Sequence, residues 1–308
     1  MSDAASGRLN SFSAKMKFQF RVIVLVLVVI SGLSASNAAR ILVAQPMGTK
    51  SHQNPFIPLI LELDKRGHQV TVITNYASSQ FRAAENVEEI ILSELAVENL
   101  SYLNETNIIG MVINGTKPTF SMIWKQLNML QLAAEVMYTN PAVKSKLMDD
   151  RFDLIVISQV TGKIGYPLAW HFEAPFILIS PGVMFPGLAH VLGDSDHTEH
   201  IPFAVYTDRM TLKERLINTF TNHLIDLLWN KWTQWGYKEI IHKTFPGCPS
   251  IDELEKNVSM AFTNTHHMFN YPRVLPPQVI EVGGMHCKSP KPLPTVILPF
   301  ELREFQWY

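Results

Sequence analysis

One histidine stands where a catalytic base could act on a bound hydroxyl. His52 lies in the segment Pro46–Phe56, directly after the continuous apolar run Ile41–Ala44. Such a run predicts a strand buried on both faces, and open α/β sheets bind ligands at the carboxyl ends of these strands. His52 also precedes a segment with helical spacing, and a helix N-terminus disfavours the imidazolium. A neutral imidazole can accept a hydroxyl proton, although His52 could instead be a capping or turn residue.

The elements that must position His52 alternate between strands and helices. The first unit is a strand, a helix over Pro55–Asp64 and a second strand, and its compact size implies parallel strands. The alternation continues along the chain and predicts an α/β fold with a Rossmann-like parallel sheet. The predicted strands are Ile41–Ala44, Val70–Thr74, Glu89–Leu92, Leu154–Ser158, Phe176–Ser180, Met260–Asn264 and Val279–Val282, and the further predicted helices are Phe120–Met137, Gly165–Phe172 and Leu212–Ile241.

The first 39 residues have the pattern of a targeting signal rather than of a folded domain. Four basic residues precede the apolar run Val22–Ile30, which is followed by small residues as far as Ala39. This pattern predicts a secretory signal peptide over residues 1–39, with a retained signal anchor as the alternative. The rest of the chain is therefore expected to face a lumen or the cell exterior. The basic residues are Arg8, Lys15, Lys17 and Arg21.

A luminal location would make four sequons available for glycosylation. Their acceptor residues are Asn99, Asn104, Asn114 and Asn257, and the first three predict one exposed loop region if they carry glycans. The chain has only two cysteines, Cys248 and Cys287, which excludes a disulfide-rich scaffold and a cysteine-based zinc cluster.

Charge and missing motifs exclude several function classes. Lys and Arg total 26 against 27 Asp and Glu, so the net charge of −1 argues against nucleic-acid binding. The turn after the first strand lacks G-x-G-x-x-G, Gly162-Lys163 lacks the rest of a P-loop, and no G-x-S-x-G elbow occurs. A cluster of acidic residues and histidines is predicted to be a solvated loop rather than a metal site. It comprises Asp194, Asp196, His197, Glu199 and His200.

Three tryptophans share one side of the long predicted helix Leu212–Ile241. They are Trp229, Trp232 and Trp235. They could pack against the core of the domain. The alternative is an interfacial helix lying among lipid headgroups, where tryptophan is favoured.

Several motifs together resemble the UDP-glycosyltransferase (UDP-glucuronosyltransferase) family, especially its animal and arthropod members. They are Lys-Ser-His at 50–52, Arg-Gly-His-Gln-Val-Thr-Val-Ile at 66–73, Asn-Tyr-Pro-Arg at 270–273 and Val-Ile-Glu-Val-Gly-Gly-Met-His at 279–286. The resemblance covers nearly everything from Arg40 to about Phe305 and stands beside the pattern of strands and helices.

The resemblance implies an amino-terminal domain of the GT-B fold, in which two Rossmann-like domains face a cleft. The amino-terminal domain would bind a small lipophilic acceptor and the other domain a UDP-sugar, the co-substrate; no other cofactor and no metal is expected. His52 would be the general base of an inverting transfer to a hydroxyl. Residues beside it and after the strand at Phe176 would line the acceptor pocket, namely Ser51, Gln53, Phe56, Met184 and Phe185. The expected location is the endoplasmic reticulum lumen or membrane, at a membrane surface, or outside the cell if the signal is cleaved and no anchor follows.

Two departures from the family pattern bear on activity. Ser158 stands at the position of the family's aspartate, and a serine can hydrogen-bond an imidazole but cannot offset its charge. The chain is also predicted to be the acceptor half only: residues 40–286 form the acceptor-binding domain, residues 287–308 a proline-rich linker, and the donor domain is missing. The alternative to an enzyme is therefore a non-catalytic form that binds lipophilic ligands or pairs with a full-length relative.

Overall fold

Seven parallel strands form one sheet in the order β3-β2-β1-β4-β5-β6-β7. The computed structural model describes residues 38–106, 120–182, 192, 209–268 and 275–289. The α/β class and the parallel sheet predicted from the sequence are confirmed. The strands are β1 Arg40–Gln45, β2 Gln69–Thr74, β3 Val87–Ile91, β4 Leu154–Ser158, β5 Phe176–Ser180, β6 Val258–Thr263 and β7 Val279–Glu281.

Helices cover both faces of the sheet. Those with bounds within the described residues are α1 Lys50–Gln53, α2 Phe56–Lys65, α3 Ser93–Thr106, α4 Phe120–Thr139, α5 Pro141–Asp149, α6 Tyr166–His171, α7 Leu212–Thr244 and α8 Ile251–Glu255. Two 3₁₀ turns, Ser79–Ala83 and Gln159–Gly165, follow β2 and β4.

The strands divide the core into two layers because successive side chains point to opposite faces. Leu42 and Ala44 of β1 belong to a large core that includes residues of α4, α6 and α7. Ile41 and Val43 belong to a smaller core that packs against α2. β1 is buried on both faces, as its apolar run predicts.

Strand β1 is tied to β4 by contacts from its first residue. The backbone N–H of Arg40 donates to Asp153 Oδ2 at 2.7 Å, and the Arg40 guanidinium pairs with Asp150. Ile41 then pairs with Leu154, and the parallel register runs to Ala44 and Ile157. This register places the carboxyl ends of β1 and β4 side by side.

The second 3₁₀ turn is held to the rest of the domain by a buried ion pair. Lys163 contacts Glu255 of α8, and both side chains are largely buried. Gly165, at the end of the turn, packs against β4 so closely that an added Cβ would lie 2.8 Å from Ile157 Cγ2. The turn that follows Ser158 therefore has little freedom to move.

The long helix α7 begins at a capping box formed by Thr211 and Glu214 and packs against α4. Trp235 is 76% exposed, so this tryptophan does not pack against the core. The side chains of Trp229 and Trp232 lie outside the described set. Among the described residues, no helix is both long and apolar enough to span a bilayer.

Candidate functional site

The turn from β1 to α1 has a backbone that only glycine adopts readily. Gly48 has φ of 131°, and Thr49 then serves as the N-cap of α1. An added Cβ on Gly48 would lie 3.2 Å from both Cβ and Nδ1 of His52. The turn therefore brings its backbone directly against the imidazole.

Two asparagines clamp this turn through one carbonyl. Asn75, which follows β2, donates from Nδ2 to Gly48 O at 2.8 Å, and Asn99 of α3 donates to the same oxygen at 3.0 Å. Both side chains are buried. The glycosylation predicted at Asn99 is therefore wrong for the folded chain, because a glycan would occupy the same buried nitrogen. Asn99 instead helps to position the turn that carries His52.

His52 is held by the N-cap of its own helix. Thr49 N–H donates to His52 Nδ1 at 3.0 Å, and the Thr49 hydroxyl lies 3.1 Å from the same nitrogen. A backbone N–H can only donate, so Nδ1 acts as an acceptor. In the neutral ring the proton therefore resides on Nε2. The capping role that the sequence left open is present in the structure.

Burial lowers the pKa of His52 below its usual range. The physical cause is desolvation, which disfavours the charged ring. The contact with Thr49 N–H acts in the same direction, because an imidazolium would place its Nδ1–H against another donor. His52 is thus a neutral imidazole near pH 7.

Ser158 lies at the end of β4, as aligned from the sequence, and is fully buried. Its Oγ has no hydrogen-bond partner, so it does not orient His52. Thr161 donates instead to the Ser158 carbonyl at 2.7 Å. In this structure the orienting contact to the imidazole comes from Thr49.

Two residues predicted to line an acceptor pocket have structural roles. Phe56 is 1% exposed and packs in the smaller core beneath α2, so its assignment to the pocket is corrected. Gln53 is buried and donates from Nε2 to Thr74 Oγ1 and to the Tyr76 carbonyl, which fastens α1 to the end of β2. Ser51 is exposed and its hydroxyl lies 2.6 Å from Thr49 Oγ1.

Of the remaining predicted positions, Asn257 has a described side chain and the others do not. Asn257 is exposed and its glycosylation stays a prediction. Among the described residues, no group of three or more His, Cys, Asp or Glu could hold a metal ion. Outside the described set lie Met184, Phe185, Asn114, the side chain of Asn104, and the cluster Asp194, Asp196, His197, Glu199 and His200.

Sequence reasoning missed the polar residues that surround the turn. Thr49, Asn75 and Gln45 each follow or end an apolar run, and Gln159 directly follows Ser158. Polar residues at the carboxyl ends of predicted parallel strands share one edge of the sheet, so this signal was available. Their hydrogen bonds depend on loop geometry and could not be predicted from the sequence.

Comparison with known proteins gives a consistent result. The family model described as UDP-glucoronosyl and UDP-glucosyl transferase matches residues 39–301. UDP-glucosyltransferase 2 of Dactylopius coccus is 30% identical over 295 residues, covering 92% of this chain and 54% of the relative. Human UDP-glucuronosyltransferase 2B10 is 27% identical over 269 residues, covering 80% of this chain and 48% of the relative. A solved glycosyltransferase of kitacinnamycin covers 80% of this chain and 52% of its own, with 15% identity and a TM-score of 0.47. The chain spans about half the length of the curated relatives it matches.

Proposed function

The chain belongs to the family of UDP-glucuronosyl and UDP-glucosyl transferases, and from this membership we propose that it binds a small lipophilic hydroxyl compound as acceptor for a sugar carried by UDP. The observation that carries the proposal is the placement of His52. It is a neutral imidazole on α1, at the carboxyl edge of a parallel sheet, where such folds bind ligands.

The proposed reaction forms one bond and breaks one. The acceptor oxygen attacks the anomeric carbon, the bond from that carbon to the UDP oxygen breaks, and the configuration inverts. The acceptor proton passes to His52. A nitrogen that already carries a proton cannot accept another, so the base needs its neutral proton on Nδ1 and a free Nε2.

The contacts of His52 describe the opposite tautomer. Base catalysis therefore requires the imidazole to give up its bond from Thr49 N–H. The Thr49 hydroxyl, 3.1 Å from Nδ1, can rotate and accept a proton placed there. A hydroxyl orients the ring but does not offset its positive charge, so we propose that His52 is a weaker base than one paired with a carboxylate.

A transfer assay with a matched histidine control tests the proposal. Purified chain is incubated with UDP-glucose or UDP-glucuronic acid and 1-naphthol, and product is followed by mass spectrometry. His68 also accepts a backbone N–H on Nδ1, from Ala39 at 3.1 Å, but at the other edge of the sheet. His52→Ala should abolish product formation and His68→Ala should not. Measurable product formation at the same rate in both variants would refute the role of His52.

A second candidate function is binding without turnover. It is favoured by Ser158, which offers the imidazole no carboxylate. In this form the chain would hold lipophilic ligands or pair with a full-length relative. Calorimetric binding of 1-naphthol without product would support it, and product that depends on His52 would exclude it.

We also propose that the chain enters the endoplasmic reticulum. The support is the basic and apolar pattern of residues 1–39, and exposed Asn257 is a site that a luminal enzyme could glycosylate. Expression in animal cells with and without endoglycosidase treatment tests this. Asn257→Gln should remove a glycan-dependent mobility shift; a chain that carries no glycan and stays in the cytosolic fraction would contradict the proposal.

Membrane association is proposed for the exposed face of α7. Five apolar side chains, here called the α7 ridge, are exposed at helical spacing, and the described charged side chains on the same face are basic. Apolar and basic residues on one helix face suit an anionic bilayer surface. Phe220→Glu should weaken sedimentation with phosphatidylserine vesicles, whereas Met148→Glu, at another exposed apolar residue, should not. The ridge is Leu212, Leu216, Phe220, Leu224 and Leu227, and the basic residues are Lys213, Lys231 and Lys238.

A further inference from the structure

Three buried polar side chains at the ends of β1 and β4 each have at least one atom without a hydrogen-bond partner. They are Gln45 at 2% exposure, Ser158 at 0% and Gln159 at 8%. The unpartnered atoms are Gln45 Nε2, Ser158 Oγ and both amide atoms of Gln159. Leaving a buried polar group unpaired lowers the stability of the folded chain. Such groups in a folded protein need an explanation, and a bound ligand that satisfies them is one.

Strand register brings Gln45 and Ser158 together. Ala44 pairs with Ile157, so Gln45 and Ser158 come next on neighbouring strands, about 4.8 Å apart. Val43 and Val156, two residues earlier, both belong to the smaller core, so Gln45 and Ser158 point to that same face. Gln159 follows directly in the 3₁₀ turn, which contacts β1.

The same face carries the helix of His52. Thr74 ends β2 on this face, and it accepts a hydrogen bond from Gln53 of α1 at 2.5 Å. β1 lies between β2 and β4 in the sheet. The unpartnered group therefore begins on the strand next to the one that anchors α1, beside the turn that holds His52.

The chemistry of this group is uncharged. It offers two amide N–H₂ groups, one amide oxygen and one hydroxyl. The other described buried polar residues at the strand ends are also neutral: Thr74, Asn75, Thr161, Ser180, Thr263 and Thr265. A buried carboxylate or ammonium would find no countercharge among these buried residues, and burying an unpaired charge is costly.

We infer that Gln45, Ser158 and Gln159 form a subsite that binds an uncharged hydroxyl or carbonyl group of the acceptor. This inference rests on the proposed acceptor-binding function. The subsite would select acceptors that carry a second neutral polar group besides the hydroxyl presented to His52. A site built of unsatisfied hydrogen-bonding groups discriminates strongly against ligands that lack the matching group.

A set of related naphthalenes tests the subsite by calorimetry, without any transfer reaction. The probes with one hydroxyl are 1-naphthol and 2-naphthol, and those with two are 1,5-, 2,6- and 2,7-dihydroxynaphthalene. At least one diol should bind about tenfold more tightly than the naphthols. 6-Hydroxy-2-naphthoic acid, which replaces the second hydroxyl by a carboxylate, should bind less tightly than 2-naphthol.

Variants assign the diol preference to the named side chains. In Gln45→Leu and Gln159→Leu the diol-to-naphthol affinity ratio should fall to about one. Gln69→Leu is the matched control, because Gln69 is exposed at the opposite edge of the sheet and should keep the full ratio. Ser158→Ala, a smaller change, should lower the ratio several-fold and serves if the leucine variants do not fold.

The outcomes distinguish failure of the subsite from failure of acceptor binding. Equal binding of naphthols and diols by the unmodified chain would overturn the subsite while leaving acceptor binding intact. A preference that survives both leucine variants, or Ser158→Ala where those do not fold, would also overturn it. Failure of every probe to bind would overturn the proposed function together with the subsite.

Discussion

Replacing Gly48 by alanine should cost more than an ordinary loss of glycine freedom. At φ of 131° an L-residue is strained, which costs about 1–3 kcal/mol. The new Cβ would also press on the His52 side chain, 3.2 Å from its Cβ and Nδ1. The turn cannot easily move away, because Asn75 and Asn99 both hold the Gly48 carbonyl.

Gly67→Ala provides a matched control for the backbone effect. Gly67 has φ of 82°, closer to the left-handed region that L-residues tolerate, and an added Cβ would meet nothing within 4 Å. We expect Gly67→Ala to lower the free energy of unfolding by about 1 kcal/mol and Gly48→Ala by about 3 kcal/mol. For a domain of this size these values correspond to Tm decreases of about 2–4 °C and about 6–12 °C.

The second measurement is the titration of His52 by NMR. Displacement of the imidazole toward solvent should raise its pKa toward the usual value, and only in Gly48→Ala. The chain has 11 histidines, so the His52 signal is assigned by its loss in His52→Gln. Equal destabilisation by the two alanine variants, with an unchanged His52 pKa, would refute the argument that Gly48 packs against His52.

Three further predictions concern stability. Burial lowers the pKa of His52, so below pH 6.5 the unfolded chain binds more protons than the folded chain, and stability should fall on acidification. His52→Gln should make the free energy of unfolding, measured in urea, depend less steeply on pH in this range. An unchanged slope would contradict the prediction. Glu255→Gln leaves Lys163 buried without its anion and should cost about 3 kcal/mol in urea, whereas the double variant with Lys163→Met should recover much of the loss; no recovery would contradict the ion-pair account. Gly165→Ala places a Cβ 2.8 Å from Ile157 and should lower stability by about 1–3 kcal/mol, and a companion Ile157→Val should partly restore it.

The strands were predictable because the pattern that identifies a strand lies within its own residues and those directly beside it. The predicted ranges for β4 and β5, Leu154–Ser158 and Phe176–Ser180, match the structure residue for residue. Both are apolar, β-branched runs bounded by turn residues. Helix α1 was not predicted, because four residues are too few to show a helical period. α3, Ser93–Thr106, was also not predicted.

The position of the site was predictable and its hydrogen bonds were not. His52 was placed at the carboxyl edge by the order of the elements alone. Its tautomer depends on Thr49 N–H, whose direction is set by the fold of the turn. Asn99 was misjudged because a sequon records residue types and not burial, and this side chain donates to Gly48.

Phe56 shows a third kind of error. Closeness in sequence to His52 suggested that it lines the pocket. Phe56, Ile57 and Ile60 are the buried residues of α2, which is the spacing of a helix face that packs on a sheet. The helical spacing of Phe56 within Pro55–Asp64 was recognised from the sequence, and it indicates the core rather than the pocket.

The pairing of β1 with β4 also bears on the order in which the strands pair during folding. The bond from Arg40 to Asp153 spans 113 residues, whereas that between Ala39 and His68 spans 29. Closing the longer loop costs about 1 kcal/mol more, so β1 should pair with β2 first. During synthesis at about 5–20 residues per second, β4 follows β1 by roughly 6–23 s.

Through that interval one edge of β1 lacks its neighbouring strand. β1 carries Ile41, Leu42 and Val43, which are buried in the finished sheet. An unpaired apolar edge of this kind can recruit another chain. Changes that delay β4 should therefore lower the yield of folded chain more than its stability.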